Sequence, residues 1–496
     1  MKSKIFVFLF LIVVAAFGGY YYFSRKVQIL EIELSSPDNQ SIKEDVAVKL
    51  NSAAPIYIEY WKEGESQKFK SPISKEKESH LVHLLLLEPS TKYQYQIVID
   101  QLFPVRSKLM SFETREQSPW MVHNWIKENN PHDPKAMGDD LVLLCYRGYP
   151  GNISIVDGNG TVRWYWQDEK LGVRLASLTP RGTILALLAP ANKDEFKKEP
   201  EKKEGKSLPK NYYLRSGRLG FMGGTQLVEI SQTGKVLWRS NLADKGIIMH
   251  HDVQMNDLNE IYAIVRDYKI DDRPNSTKDT LWGDAIVRID SLGNIKNKWT
   301  PWKDWDLTKD HRLDSFKHDR FHFNTISFDQ EGNYITSSPI ENQVWKIDPK
   351  SGKIIWKLGK NGDFKMDAKD YFYFQHMPYI TKEGDLLLFD NGDYAPQDTA
   401  KLQKRSRAIA FKLNEKEMTA KQSYQAPLPI KQYTARMGSA FLLSNGNLLQ
   451  TSSKTGSAII TDKSGKVLWE LNSHFIPYRA VQVPESFWKN YILKSN

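Results

Sequence analysis

Cysteine is nearly absent: Cys145 is the single one in 496 residues. One thiol excludes an intramolecular disulfide framework and a Cys-based zinc site. It sits in the apolar run Leu141-Val142-Leu143-Leu144-Cys145-Tyr146, where a packed core thiol is expected rather than a nucleophile. No H-E-x-x-H helix or carboxylate-supported metal triad is visible, and neither metal nor any other cofactor is expected. Also missing are a basic helix and the interleaved Arg/aromatic signature of RNA-binding modules. The net charge of +10 comes with lysines scattered through turns, so nucleic acid is not an expected partner. A basic surface of this kind suits small anionic substrates, which it attracts over distance.

What the chain has in quantity is aromatic and β-forming residues. Aromatics reach 12%, with 14 Trp and 23 Tyr, and such side chains pack well on pleated sheets. With 40% hydrophobic and 26% charged residues the composition is that of a globular protein. At the N-terminus Lys2 and Lys4 precede an apolar run from Ile5 to Phe23, and Arg25-Lys26 follow. That run at helical rise covers about 28 Å, close to the hydrocarbon thickness of a bilayer. Ala15, Ala16, Gly18 and Gly19 offer small residues for cleavage, but Phe17 and three tyrosines stand among and after them. Residues 1–27 are therefore expected to be a retained transmembrane helix, with the globular part exported to the periplasmic or extracellular side.

Residues 28–115 read as a small β-sandwich. Strand-like alternation runs through Ile56-Tyr57-Ile58-Glu59-Tyr60-Trp61. The stretch Leu87-Glu88-Pro89-Ser90-Thr91-Lys92-Tyr93-Gln94-Tyr95 resembles a segment of fibronectin type III domains, in which Tyr93 would bond back to the chain. A polar linker with Pro119, Pro131 and Pro134 fills residues 116–139, and residues 481–496 read as a C-terminal tail. Between them, residues 140–480 repeat. One half of the repeat is a strand, a turn, and a strand ending near Trp, with turns at Gly160, Gly234, Gly293, Gly352, Lys416 and Gly465. The copy around Lys416 is divergent. The other half is a hairpin with turns at Gly182, Asn259, Gly332, Gly384 and Gly446. Two hairpins make one four-stranded blade, so six repeats predict an all-β, six-bladed β-propeller. The Lys- and Glu-rich segment 193–210 reads as a solvated loop between strands.

Six of the eleven histidines fall between residues 250 and 376. His251 and His376 each stand eight residues before a hairpin turn, and His322 stands ten before one. Arg174 and Arg436 hold the corresponding places in two other repeats, eight and ten residues ahead of Gly182 and Gly446. Blade-equivalent positions are related by the propeller's rotation, so these residues form a ring. If the first strand of each blade is innermost, the ring surrounds one end of the channel and could hold an anion. His250 and His251 are adjacent, so in an extended strand they face opposite sides and one alone enters the channel. His311 and His318 lie in a polar loop and are expected at the surface.

Several blocks are similar to those of bacterial arylsulfotransferases. They are His250-His251-Asp252, Phe321-His322-Phe323-Asn324, Gln375-His376, Leu388-Phe389-Asp390-Asn391-Gly392, Val344–Asp348 with Lys353–Gly359, and Ser406-Arg407-Ala408. The resemblance runs over most of residues 140–480. It implies a six-bladed propeller behind an N-terminal β-sandwich, and sulfuryl transfer from an aryl sulfate to a phenol without a nucleotide donor. By the same resemblance His376 matches the nucleophile that carries the sulfuryl group, and His251 and His322 match assisting histidines. Asn324 beside His322, with Arg174 and Arg436, completes the expected substrate contacts. The family has an arginine after the second histidine block, where this chain reads Ser337-Ser338-Pro339-Ile340. Losing a donor to the sulfuryl oxygens costs on the order of 10²–10³ in rate unless another cation replaces it.

Two other classes compete. A non-catalytic propeller binding a ligand or protein at the cell surface would account for Pro339. A quinone-dependent dehydrogenase would use similar Asp-x-x-x-Gly-Lys-x-x-Trp repeats, but in shorter units and usually eight of them; six wide repeats and a histidine ring argue against it.

Overall fold

A computed structural model describes residues 27–37, 41–117, 124–127, 129–148, 150–189, 223–242, 245–274, 276–316, 319–393 and 404–494. The apolar run 5–23, the segment 193–210 and His318 lie outside them. Among the described residues no helix is long and apolar enough to cross a membrane. The chain divides into two compact units, residues 1–118 with 488–496, and residues 119–487.

Among the described residues the first unit holds two antiparallel sheets. One is Ile29–Ser35, Glu44–Ala54 and Lys77–Leu84; the other centres on Ile56–Lys62 and Lys92–Ile99. Alternate residues Val46, Val48 and Leu50 are buried, as are Tyr93, Tyr95 and Ile97, which is the period of a half-buried strand. Tyr93 Oη accepts a hydrogen bond from the Glu88 N–H at 3.0 Å, tying the strand's start to the turn before it.

Among the described residues the second unit holds six antiparallel sheets in a propeller-like ring. Each of the second, fourth and fifth is a continuous meander of four strands, the second being Gly172–Leu178, Thr183–Ala189, Gln226–Ser231 and Val236–Asn241. The third centres on Met249–Met255, Ile261–Ile270, Thr280–Ile289 and Ile295–Trp299. The fourth opens with Ile326–Phe328, the fifth with His376–Ile380 and the sixth with Ala440–Leu442. The opening strands of the second to fifth sheets approach one another in turn, which places them on the inner side of the ring.

Two segments correct the sequence reading. Val481–Val483, expected in a tail, pairs with Leu141–Tyr146 and completes the first sheet. Asn124–Trp125, expected in a linker, pairs with Val467–Ser473 at the outer edge of the sixth. Both satisfy strand edges whose backbone groups would otherwise be unpaired, a tertiary demand that leaves little trace in a short polar segment.

Turn chemistry explains why the repeat is visible. Gly182, Asn259, Gly332, Gly384 and Gly446 all have positive φ, from 62° to 88°. Each gives its N–H to the carbonyl three residues back, for example Gly384 to Thr381 at 2.9 Å. Only Gly, or more rarely Asn, adopts this conformation cheaply. The outer turns also take positive φ, at Gly160, Gly234, Gly293, Gly352 and Gly465, and in the divergent fifth copy at Met418. Three of the recurring Trp residues have a partner in the next sheet, whereas Trp238 donates to Glu229 of its own sheet. Trp164 Nε1 donates to Gln232 O, Trp299 Nε1 to Gly352 O, and Trp469 Nε1 to Gly158 O, at 2.7–2.8 Å. The pattern fails beside the divergent turn, where the Trp356 indole N–H is buried with no partner among the described residues.

Candidate active site

The starts of the innermost strands break the regularity of the ring. Pairing slips between Val173 and Leu175, between Met249 and Val253, and between His376 and Tyr379. Such bulges re-aim side chains. Non-glycine residues also take positive φ here: His251 at 61°, His322 at 55°, Met377 at 55° and Met437 at 60°. These conformations cost energy and are held by their surroundings.

Part of what the sequence placed on one ring meets here. His251 and His322 have ring centroids 4.7 Å apart, and Tyr478 lies 6.0 Å from His251 and 6.4 Å from His376. One expectation is corrected. His250 and His251 do not face opposite ways, because the bulge removes strand alternation. Their Nδ1 atoms are 2.6 Å apart and both rings are buried. His311, expected at the surface, is exposed.

His376 is fixed in one tautomer from both sides. Asn391 Nδ2 donates to Thr434 O and Met437 O, each at 2.8 Å, so its Oδ1 must face the imidazole. That oxygen accepts from His376 Nδ1–H at 2.8 Å, and His376 Nε2 accepts the Met437 N–H at 3.2 Å. The ring is thus neutral with its lone pair on Nε2. Burial pushes its pKa down to about 3, with further lowering from the charges of His322 and Arg479. The neighbouring motif residues hold Asn391 in place. Asp390 accepts from the N–H groups of Tyr373 and Gly392 and pairs with Arg407, and Ser406 Oγ donates to Asn391 O.

His322 has opposite surroundings. Its Nδ1 lies 2.5 Å from Asp319 Oδ2. Burial alone would lower its pKa, but the Asp319 carboxylate outweighs burial and raises it. Asp319 also meets Arg266 Nη1 at 2.5 Å, and Arg266 continues to Asp284, which sits 3.1 Å from His250 Nε2. His250 and His251 are both lowered, first by burial.

The expected anion contacts divide. Arg174 is the bulged residue of the second sheet and is buried, its Nη1 reaching Arg147 O at 3.4 Å. Arg147 in turn lies 3.9 Å from Met437 Sδ. Arg436 is exposed, with its carbonyl accepting from Thr434. Asn324 is buried, but its amide is committed: Nδ2 donates to Gln375 O at 2.9 Å and Oδ1 accepts from Thr325. It therefore ties the His322 loop to the His376 loop. Pro339 begins a turn and accepts from the Asn342 N–H. Ser338 beside it donates to Phe321 O.

Sequence reading missed Tyr478, Arg479, Asp319 and Arg147. Arg479 is buried, donating to His251 O at 2.8 Å and pairing with Asp252 at 3.1 Å. Tyr478 Oη donates to Asn324 O at 3.1 Å. Both precede Val481–Val483, at the blade-equivalent place in the first sheet, so recognising that closing strand would have exposed them. Among the described residues no group of three or more His, Cys, Asp or Glu is arranged to hold a metal ion.

The family described as Arylsulfotransferase (ASST) matches residues 127–472. Arylsulfate sulfotransferase AssT of Escherichia coli is 32% identical over 89 residues, 18% of this chain and 15% of that protein. The chain thus aligns with far less than two thirds of that relative's length. Among solved structures, a protein of unknown function from Bacteroides caccae is 13% identical, with a TM-score of 0.40 over 70% of this chain and 99% of that one. PhoX of Pseudomonas fluorescens is 9% identical, with a TM-score of 0.31 over 92% and 89%.

Proposed function

The chain belongs to the arylsulfotransferase family, and from that premise we propose that it moves a sulfuryl group from a phenolic sulfate ester to a phenol through a sulfohistidine at His376. The observation that carries this reading is the His376 tautomer. A lone pair on Nε2, in a ring held neutral by burial and fixed in its tautomer by Asn391, is a nucleophile that needs no prior deprotonation. In the first half-reaction Nε2 bonds to sulfur, the S–O(aryl) bond breaks, and the leaving oxygen takes a proton from His322 or His251. In the second, the acceptor phenol returns a proton to that histidine, its oxygen bonds to sulfur, and the N–S bond breaks. Once Nε2 is sulfated it no longer accepts from Met437, whose N–H is then available to a sulfuryl oxygen.

The positive charge that the family draws from its arginine has candidates here. Arg479 bears electrostatically on His376, and Arg174 and Arg436 are the proposed substrate contacts. The six-sheet ring is read as a six-bladed propeller and the N-terminal unit as fibronectin III-like, on the strength of the Tyr93 hydrogen bond. We further propose that residues 5–23 anchor an exported protein, supported by the length of that apolar run. The test is incubation of the full chain with a chromogenic aryl sulfate and a phenol. Phenolate release should depend on the acceptor, and His376→Ala should abolish both turnover and covalent labelling. Full activity in that variant would move the nucleophile elsewhere. An inactive wild type would favour a ligand-binding propeller, with Pro339 as the mark of lost chemistry.

A further inference from the structure

We infer that Asp319 is the positioning residue that makes His322, rather than His251, the proton carrier of the transfer; this deepens the sulfuryl-transfer reading and rests on it. The two histidines lie side by side, yet only one has a carboxylate on its ring. Asp319 Oδ2 holds His322 Nδ1 at 2.5 Å, while the His251 Nδ1 faces the His250 ring at 2.6 Å. The groups facing His322 come from several elements. Asp319 is on its own loop, Arg266 and Asp284 are on strands of the third sheet, His251 is on that sheet's Met249–Met255 strand, and His376 is on the fifth sheet. Two carboxylates against one guanidinium favour a cation at His322. His251 faces His250, His322, Arg266 and His376, all neutral or positive, and so stays uncharged.

Asp319 is itself held. Arg266 Nη1 grips its other oxygen at 2.5 Å, and Arg266 is anchored by Asp284, which also accepts the Phe323 N–H at 2.7 Å. The Asp319 side chain keeps 34% of its surface exposed, so the carboxylate is not sealed in the core. With Nδ1 taken by Asp319, Nε2 is the nitrogen of His322 left to give a proton to the departing aryl oxygen. It takes one back from the acceptor hydroxyl in the second half-reaction. Between the two steps His322 is neutral, with its Nδ1–H still donated to Asp319.

A purely structural role and a proton-relay role differ in how they respond to the leaving group. A nitrophenolate leaves without help, whereas a simple phenolate needs its proton. Asp319→Asn should therefore slow release of the simple phenol by about 10²-fold or more and of the nitrophenol by less than about tenfold. The alkaline limb of the rate profile should move to lower pH, and Asp319→Glu should restore most of the loss. Equal losses for both donors, or an unmoved alkaline limb, would overturn the assignment. A second readout needs no turnover: in a ¹⁵N-imidazole NMR titration of the full chain, His322 should deprotonate at lower pH in Asp319→Asn than in the wild type. An unchanged His322 titration overturns the proposal. Absence of transfer in the wild type would sink the functional reading instead, and the titration would still decide whether Asp319 controls His322.

Discussion

At the outer strands of the ring, Trp164, Trp299 and Trp469 each hand an indole N–H to a turn of the next sheet, and the turns are made by residues that tolerate positive φ. At the inner strand starts the same ring carries bulges, left-handed His251, His322, Met377 and Met437, and charges with little access to water. The outer bond recurs in three sheets because the same strand end meets the same kind of turn in each. The inner positions differ from sheet to sheet because each contributes a different group to one site. Strain and buried charge at the centre are tolerated because the outer latches and sheet-to-sheet packing hold the ring closed.

The largest expected effect tests the inner end. Arg479→Leu would leave Asp252 as a buried carboxylate without its guanidinium, and should cost about 3–5 kcal/mol in chemical denaturation. A loss below about 1 kcal/mol would mean that Asp252 is satisfied by its bonds from Val253, Gln254 and Ile326 alone. Acidification should act on the same end. His376 is held down to about 3 when folded, against an ordinary value of 6.5. Between those values the unfolded chain binds more protons, so stability rises with pH and is lost as pH falls below 6.5. By pH 5 this one group should have cost about 2 kcal/mol, and His376→Phe should flatten the slope by that amount. An unchanged slope in the variant would show that His376 titrates normally in the fold.

The smallest effect tests the outer latch. Trp469 and Trp356 are both fully buried, and Trp469 alone of the two has an indole hydrogen bond among the described residues. Replacing each with Phe removes a similar apolar area, so Trp469→Phe should be the more destabilising by about 1 kcal/mol. Equal losses in thermal denaturation would reduce the latch to packing alone.

The six-fold repeat was legible because its turn residues answer to local backbone sterics, which are the same wherever the turn sits. His251, His322 and His376 could be placed on one ring for the same reason: each stands at a fixed distance from a recognisable turn. Which of His250 and His251 enters the ring stayed open, because alternation holds only in a regular strand and the bulge between Met249 and Val253 cannot be read from composition. The matching motif Asp390-Asn391-Gly392 was visible as a resemblance, but its task, fixing the His376 tautomer, appears only when Thr434 and Met437 close on the Asn391 amide.

What the sequence by itself determined is the local part: strand and turn chemistry, the repeat, and the identity of the histidines. What tertiary structure decided is which groups meet. Arg479 reaches the His251 carbonyl across 228 residues of chain, and Val481–Val483 closes a sheet that begins at Leu141. Charge and hydrogen-bond partners brought together over such separations set whether an imidazole is held neutral or charged. His322 and His376 are the same side chain. A carboxylate at Nδ1 of one and an amide oxygen at Nδ1 of the other separate their protonation, because both favour the imidazolium but only the carboxylate outweighs the cost of burying it.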